Sequence, residues 1–191
     1  MAKLSTLAIL LFFVTDPLMA DTTGHVLLEF EDSKSIRSWR AINDGVMGGR
    51  SVGRYRWTEN KMLEFYGRLS LENNGGFASI RLPSGDIKLQ KGDVLILQLK
   101  GDGRTYNMNL YAQRNLGGFS YRQSFKTVPN KLIEVRLPVD KFVATWRGRV
   151  FPQQKLTPQD VAGLGFLLGD KKEGEFSLQL KSIRVQHGKA N

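Results

Sequence analysis

After residue 20, apolar and polar residues alternate with a period of two along most of the chain. From Met62 to Leu71, Leu63, Phe65, Gly67 and Leu69 interleave with Glu64, Tyr66 and Arg68, the pattern of a strand buried on one face. Just before it, Ser51, Gly53, Tyr55 and Trp57 share one face, with Val52, Arg54 and Arg56 on the other. The same period predicts strands over Val26–Phe30, Phe77–Leu82, Val94–Lys100, Tyr106–Tyr111, Gly118–Phe125, Lys131–Leu137, Leu164–Leu168 and Glu175–Val185. Thr58-Glu59-Asn60-Lys61, Asn73-Asn74-Gly75-Gly76 and Gly101-Asp102-Gly103 punctuate them with residues that tolerate tight or left-handed turns. One helical turn is predicted near 157–161, where Thr157 is placed to cap, Pro158 to start and Gly163 to stop it. About ten short strands without a long amphipathic helix imply an all-β fold, a sandwich or jelly roll, with residues 21–191 as one domain.

The first twenty residues do not join this pattern. Lys3 precedes an apolar stretch from Leu4 to Val14, Thr15-Asp16-Pro17 breaks it, and Ala20 offers a small residue before Asp21. That layout reads as a secretory signal over 1–20, although Leu18 is a poor residue for cleavage. The stretch is too short to span a bilayer, which takes about 20 apolar residues. The expectation is an exported protein, periplasmic or secreted, with no transmembrane span in the mature chain.

Composition removes whole classes of chemistry. The 191 residues contain no cysteine, which excludes disulfides, thiolate zinc sites, iron–sulfur clusters and Cys nucleophiles. Only two histidines occur, His25 and His187, both near the ends of the predicted domain, so neither a Ser-His-Asp arrangement nor a His-based metal site is expected. The Glu-x-Asp-x-x-Glu strand that would supply paired carboxylates for sugar hydrolysis does not occur. Glu29, Glu31 and Asp32 flank a strand end and Glu72 a turn, where capping is the plainer duty. Gly163-Leu164-Gly165 lacks the strand-to-helix transition of a phosphate loop. A lyase built from Tyr106 or Tyr111 with Arg104 has only residue types behind it. The chain therefore reads as non-enzymatic, with no cofactor and no metal.

Charge then narrows the partners. Lys and Arg number 28 against 18 Asp and Glu, a net charge of +10, but the basic residues are spread over nearly every strand and turn. Nucleic acid is disfavoured without a dense basic stripe; a protein partner, carbohydrate or anionic envelope material fits better. A candidate binding face follows from the alternation. Arg81 shares a strand face with Phe77 and Ser79, Asn107 and Asn109 with Tyr111, and Arg122 with Ser120 and Ser124. Combined with Trp146 and Arg147 from a rim loop, these would form a concave surface of amides, guanidinium groups and aromatic rings. The plain alternative is the solvated outer face of a sheet.

Four ordered segments stand out: Asn43-Asp44-Gly45-Val46-Met47-Gly48-Gly49-Arg50-Ser51; Leu69 to Arg81, with Asn73-Asn74-Gly75-Gly76 at its centre; Thr145-Trp146-Arg147-Gly148-Arg149; and Gly165 to Phe176. Through them the chain closely resembles the complex I intermediate-associated protein 30 (CIA30) family. The resemblance implies a galactose-binding-like jelly roll and, as in the mitochondrial members, a non-enzymatic chaperone role in complex assembly; it supplies no catalytic residue. Carbohydrate binding, to which the fold is related in shape, is the competing reading. The residues themselves look architectural first. Gly45, Gly48 and Gly49 suit positive φ or close backbone approach, and Asn43, Asp44, Asn73 and Asn74 suit loop-locking hydrogen bonds.

Overall fold

Period-two alternation becomes two layers in the computed structural model, which describes residues 24–85, 87–113 and 118–188. The signal expected over 1–20 lies outside the described residues. Among the described residues the strands are β1 (His25–Glu29), β2 (Arg40–Asn43), β3 (Val52–Thr58), β4 (Met62–Leu69), β5 (Ala78–Leu82), β6 (Val94–Lys100) and β7 (Thr105–Ala112). They continue with β8 (Ser120–Lys126), β9 (Leu132–Pro138), β10 (Val143–Trp146), β11 (Arg149–Val150), β12 (Val161–Leu168) and β13 (Gly174–Gln186). One sheet runs β3-β4-β13-β6-β9, with β1 also paired to β13; the other runs β11-β10-β8-β7-β12-β5-β2. Every pairing within the sheets is antiparallel. The protein is an all-β sandwich of jelly-roll type. Among the described residues no helix is long and apolar enough to cross a membrane.

The core lies between the sheets. Leu63 and Phe65 of β4, Leu95, Leu97 and Leu99 of β6, and Leu178 and Leu180 of β13 are buried on one side. Ile80 of β5, Met108 and Leu110 of β7, and Leu164, Phe166 and Leu168 of β12 are buried with them. Phe166 stacks on Trp39 at 6.3 Å and meets the ring of Phe125 edge-on. Truncating it to Ala would cost about 3–5 kcal/mol. On β12 the alternate positions Gly163 and Gly165 face away from the core and carry no side chain, with Leu167 the next on that face. The outer face of the seven-stranded sheet is therefore low at its centre.

Three strands escape the sequence pattern. β2 is a four-residue edge strand, too short for alternation to register, and β10 and β11 form a hairpin closed by Arg147 (φ 46°) and Gly148 (φ 78°). Trp146 thus stands at the end of a strand, not in a rim loop, because left-handed backbone at the two following residues matches the twist of a tight hairpin. The helical turn near 157–161 is present as a 3-10 turn over Pro158–Asp160, but the Thr157 side chain makes no capping hydrogen bond.

Candidate functional site

Asp44 organises the first cluster of polar groups. It is fully buried, and its carboxylate accepts from the Ser51 amide (2.9 Å), the Ser51 hydroxyl (2.6 Å), the Gly76 amide (2.7 Å) and the Phe77 amide (3.2 Å). Burial pushes this carboxyl up, but hydrogen bonds from Ser51, Gly76 and Phe77 outweigh it and hold the group below the usual carboxylate range. The backbone can wrap so closely only if the neighbours lack side chains. A Cβ at Gly49 would overlap Asp44 Cγ, and one at Gly75 would lie 2.7 Å from Asp44 Oδ2.

Amide side chains complete the stitching. Asn43 donates to the Gly53 carbonyl at 3.0 Å, and Asn73 to the Gly48 carbonyl at 3.2 Å. Asn73 and Asn74 both have left-handed backbone, as do Gly48 and Gly76. Gly45 differs: its φ is not left-handed, and a Cβ there would meet nothing within 4 Å. The Asp44 carboxylate is saturated by the chain's own donors and has nothing to offer a ligand. What the loop does present is Val46 and Met47, 75% and 66% exposed.

The second cluster lies on the outer face of the seven-stranded sheet. A cleft of about 530 Å³ is lined there by Met47, Gly76, Phe77, Arg81, Tyr111, Gly118, Ser120, Arg122, Thr145, Trp146, Arg147, Gly148, Leu167 and Gly169. Strand register explains the grouping. Arg81 pairs with Gly165, Gly165 with Asn109, and Asn109 with Arg122, so these four form one row across β5, β12, β7 and β8. With strands about 4.8 Å apart, the two arginine backbones are separated by roughly 14 Å. The glycine between them leaves space for long side chains to lean inward. Arg81 places its guanidinium 5.0 Å from the centre of the Tyr111 ring. Arg122 donates through Nε to Asn109 Oδ1 at 3.0 Å, and Asn109 donates in turn towards the Tyr111 phenol at 3.3 Å.

Both guanidinium groups are thus gathered over β7. Among the described residues neither makes an ion pair, and no acidic side chain lines the cleft. Arg81 Nε is buried without a hydrogen-bond partner. Burial lowers the Arg122 pKa and the charge of Arg81 lowers it further, against an opposing effect of Tyr111; the group still stays protonated at neutral pH. Trp146 forms one wall, 40% exposed, with the Arg147 guanidinium 4.8 Å from its ring centre.

Of the residues expected on a binding face, Arg81, Tyr111, Arg122, Trp146 and Arg147 line the cleft. Asn109 lies beneath it, 1% exposed, as a support. Asn107 does not reach it and instead accepts from the Ser124 hydroxyl at 2.7 Å. Sequence reasoning did not place Thr145, Leu167 and Gly169 there; for Leu167 the signal available was the alternation of β12, which turns it to the same face as Gly165. Arg104 and Tyr106 belong elsewhere. Arg104 is paired with Asp170 at 2.6 Å, while the Tyr106 phenol is buried, donates to Asp102 and is pushed far up by that burial. The Tyr106–Arg104–Tyr111 grouping is not assembled. His187, half-exposed, sets Nδ1 at 3.1 Å from buried Asp93.

Residues 28–180 match the family model of Complex I intermediate-associated protein 30 (CIA30). The mouse protein named "Complex I intermediate-associated protein 30, mitochondrial" is 28% identical over 184 residues, covering 85% of this chain and 56% of its own. A Caenorhabditis elegans protein named "Probable complex I intermediate-associated protein 30, mitochondrial" is 28% identical over 96 residues, 48% of this chain and 28% of its own. The chain spans about half the length of the mouse relative and less of the nematode one. Among solved structures, a family 11 carbohydrate-binding module from Clostridium thermocellum, in complex with a β-1,3-1,4-mixed-linked tetrasaccharide, aligns with a TM-score of 0.62. It is 14% identical and covers 86% of this chain and 96% of the module, a likeness of fold. The expected exported location is corrected by these relatives: their names place them in mitochondria, against a periplasmic or secreted protein. An apolar N-terminal stretch after a lysine does not by itself identify the compartment.

Proposed function

The chain belongs to the complex I intermediate-associated protein 30 family, and from that premise we propose that it is a non-enzymatic binding protein for a complex I assembly intermediate. Its cleft on the seven-stranded sheet is the contact surface. The observation that carries this reading is the contrast within the site: Arg81 and Arg122 converge without a counter-charge, while Asn109 and Tyr111 beneath them fix their orientation. A fixed donor array without a paired base or nucleophile holds a partner without transforming it. The test is affinity capture of the tagged full chain from the cells that make it, under gentle solubilisation. Complex I subunits should be recovered with it; their absence from repeated captures would contradict the reading.

Carbohydrate binding is a second reading with its own support, the half-open ring of Trp146 beside a polar cleft and the sugar-bound module that shares the fold. It predicts saturable binding of the mixed-linked tetrasaccharide that is lost in Trp146→Ala. A flat titration removes it.

A further inference from the structure

We propose that the Arg81–Arg122 pair is a carboxylate-binding site for an Asp or Glu side chain, presented by an extended protein segment with an apolar residue beside the acid. This deepens the protein-binding reading above and rests on it.

The cleft's charge points to an anion. Three arginines line it against no acid among the described residues, whereas two other half-buried arginines of the fold are paired with carboxylates. Arg104 has Asp170, and Arg184 has Glu134 at 3.0 Å. A guanidinium held away from bulk water without a counter-ion is unfavourable unless an anion completes it. Two guanidinium groups leaning over one tyrosine and one asparagine offer forks of N–H donors, which match the two oxygens of a carboxylate. Tyr111 supports Arg81 through its ring face, and Asn109 takes up Arg122 Nε, leaving the Nη groups of Arg122 without a protein partner among the described residues.

The walls point to a peptide as the carrier. Met47 is 66% exposed at the cleft's edge, next to Val46, and Phe77 and Leu167 line it further in. Met and aliphatic side chains give adaptable apolar contact to another side chain, whereas a sugar favours a flat open ring. The Trp146 ring is already covered on one side by Arg147. An acid flanked by an apolar side chain meets both the charged floor and the greasy lip. The Asp44 staple supports this geometry, because it fixes the turn that carries Val46 and Met47.

The probes are a terminally blocked Ala-Leu-Glu-Leu-Ala peptide, its Glu→Gln counterpart and oligogalacturonate. Each is titrated into the full chain while the Trp146 indole and the arginine Nε–H signals are followed by NMR. The Glu peptide should give a saturable shift at these signals, weakened by salt and about tenfold weaker for the Gln peptide. Arg122→Gln and Arg81→Gln should each weaken the Glu peptide by about tenfold with the remaining spectrum unchanged; Arg81→Lys, which keeps charge but not the fork, should fall between. Equal binding of the Glu and Gln peptides, an absent shift, or binding of oligogalacturonate alone would overturn the proposal. Capture of complex I subunits that survives the Arg81→Gln/Arg122→Gln double variant would overturn it too, while leaving protein binding intact. A Glu peptide that binds in a chain that captures no complex I subunit supports the carboxylate site and contradicts the assembly role alone.

Discussion

Two charged sites, one a buried carboxylate and the other a pair of half-buried guanidinium groups, lie close together on the sandwich and are treated in opposite ways. The Asp44 carboxylate receives four donors, all from its own chain. Among the described residues the Arg81 and Arg122 guanidinium groups face no carboxylate, and Arg81 Nε–H finds no acceptor. A charge whose hydrogen bonds are complete holds a fold together. A charge left incomplete, beside an accessible cleft, is free to recognise something else. The family motif therefore divides: its first two segments build a staple, and the cleft draws on the strands that the staple positions.

Removing the staple should have the largest effect. Asp44→Ala strands the Ser51, Gly76 and Phe77 donors in a buried site, at a cost of about 3 kcal/mol or more. In a chain of this size that is a fall of about 10 °C in Tm, read by thermal denaturation; an unchanged Tm would break the comparison. Gly49→Ala, which forces a methyl group against the Asp44 carboxyl, should cost about 2 kcal/mol by the same measurement.

Acid sharpens the contrast next. Asp44, Glu64 and Asp170 are all held below the ordinary carboxylate range: burial raises each, but hydrogen bonds to Ser51, Arg56 and Arg104 respectively lead the opposing effects. A depressed folded pKa gives stability that is complete above the unfolded value of about 4 and is lost as pH falls through the folded value. Denaturant midpoints should be flat from neutrality down to about pH 5 and drop below about pH 4. Asp44→Asn should make that drop shallower. The cleft arginines contribute nothing to this profile, since they stay protonated throughout.

Smaller effects test the other side. Arg122→Gln or Arg81→Gln should change stability by less than about 1 kcal/mol, because each also relieves repulsion from the other cation. A loss as large as that of Asp44→Ala would make the pair structural. Gly45→Ala, in open space with ordinary φ, should lie within about 0.5 kcal/mol of the parent. That separates Gly45 from Gly49 inside one motif.

Alternation alone made the sandwich legible, because each long strand buries one face and a period of two is hard to mistake over seven or eight residues. β2, β10 and β11 were not legible: four residues or fewer carry too little alternation, and the hairpin turn at Arg147-Gly148 depends on an arginine in left-handed backbone, which no composition rule announces. Asp44 could be read as a loop lock, but the identity of its four donors depends on two segments about 30 residues apart coming together. Arg81, Tyr111 and Arg122 could be placed on outward faces from parity. Their convergence could not, because it depends on β12 lying between β5 and β7 with Gly165 in the shared row. Asn107 shows the limit of parity: it has the right face and the wrong end of the strand.

The central claim is that the unpaired arginines recognise and the saturated aspartate supports. It is tested most directly by comparing capture of complex I subunits by the parent chain and by the Arg81→Gln/Arg122→Gln double variant, matched for Tm. The account predicts capture reduced by about tenfold with the fold intact; equal capture by both would contradict it.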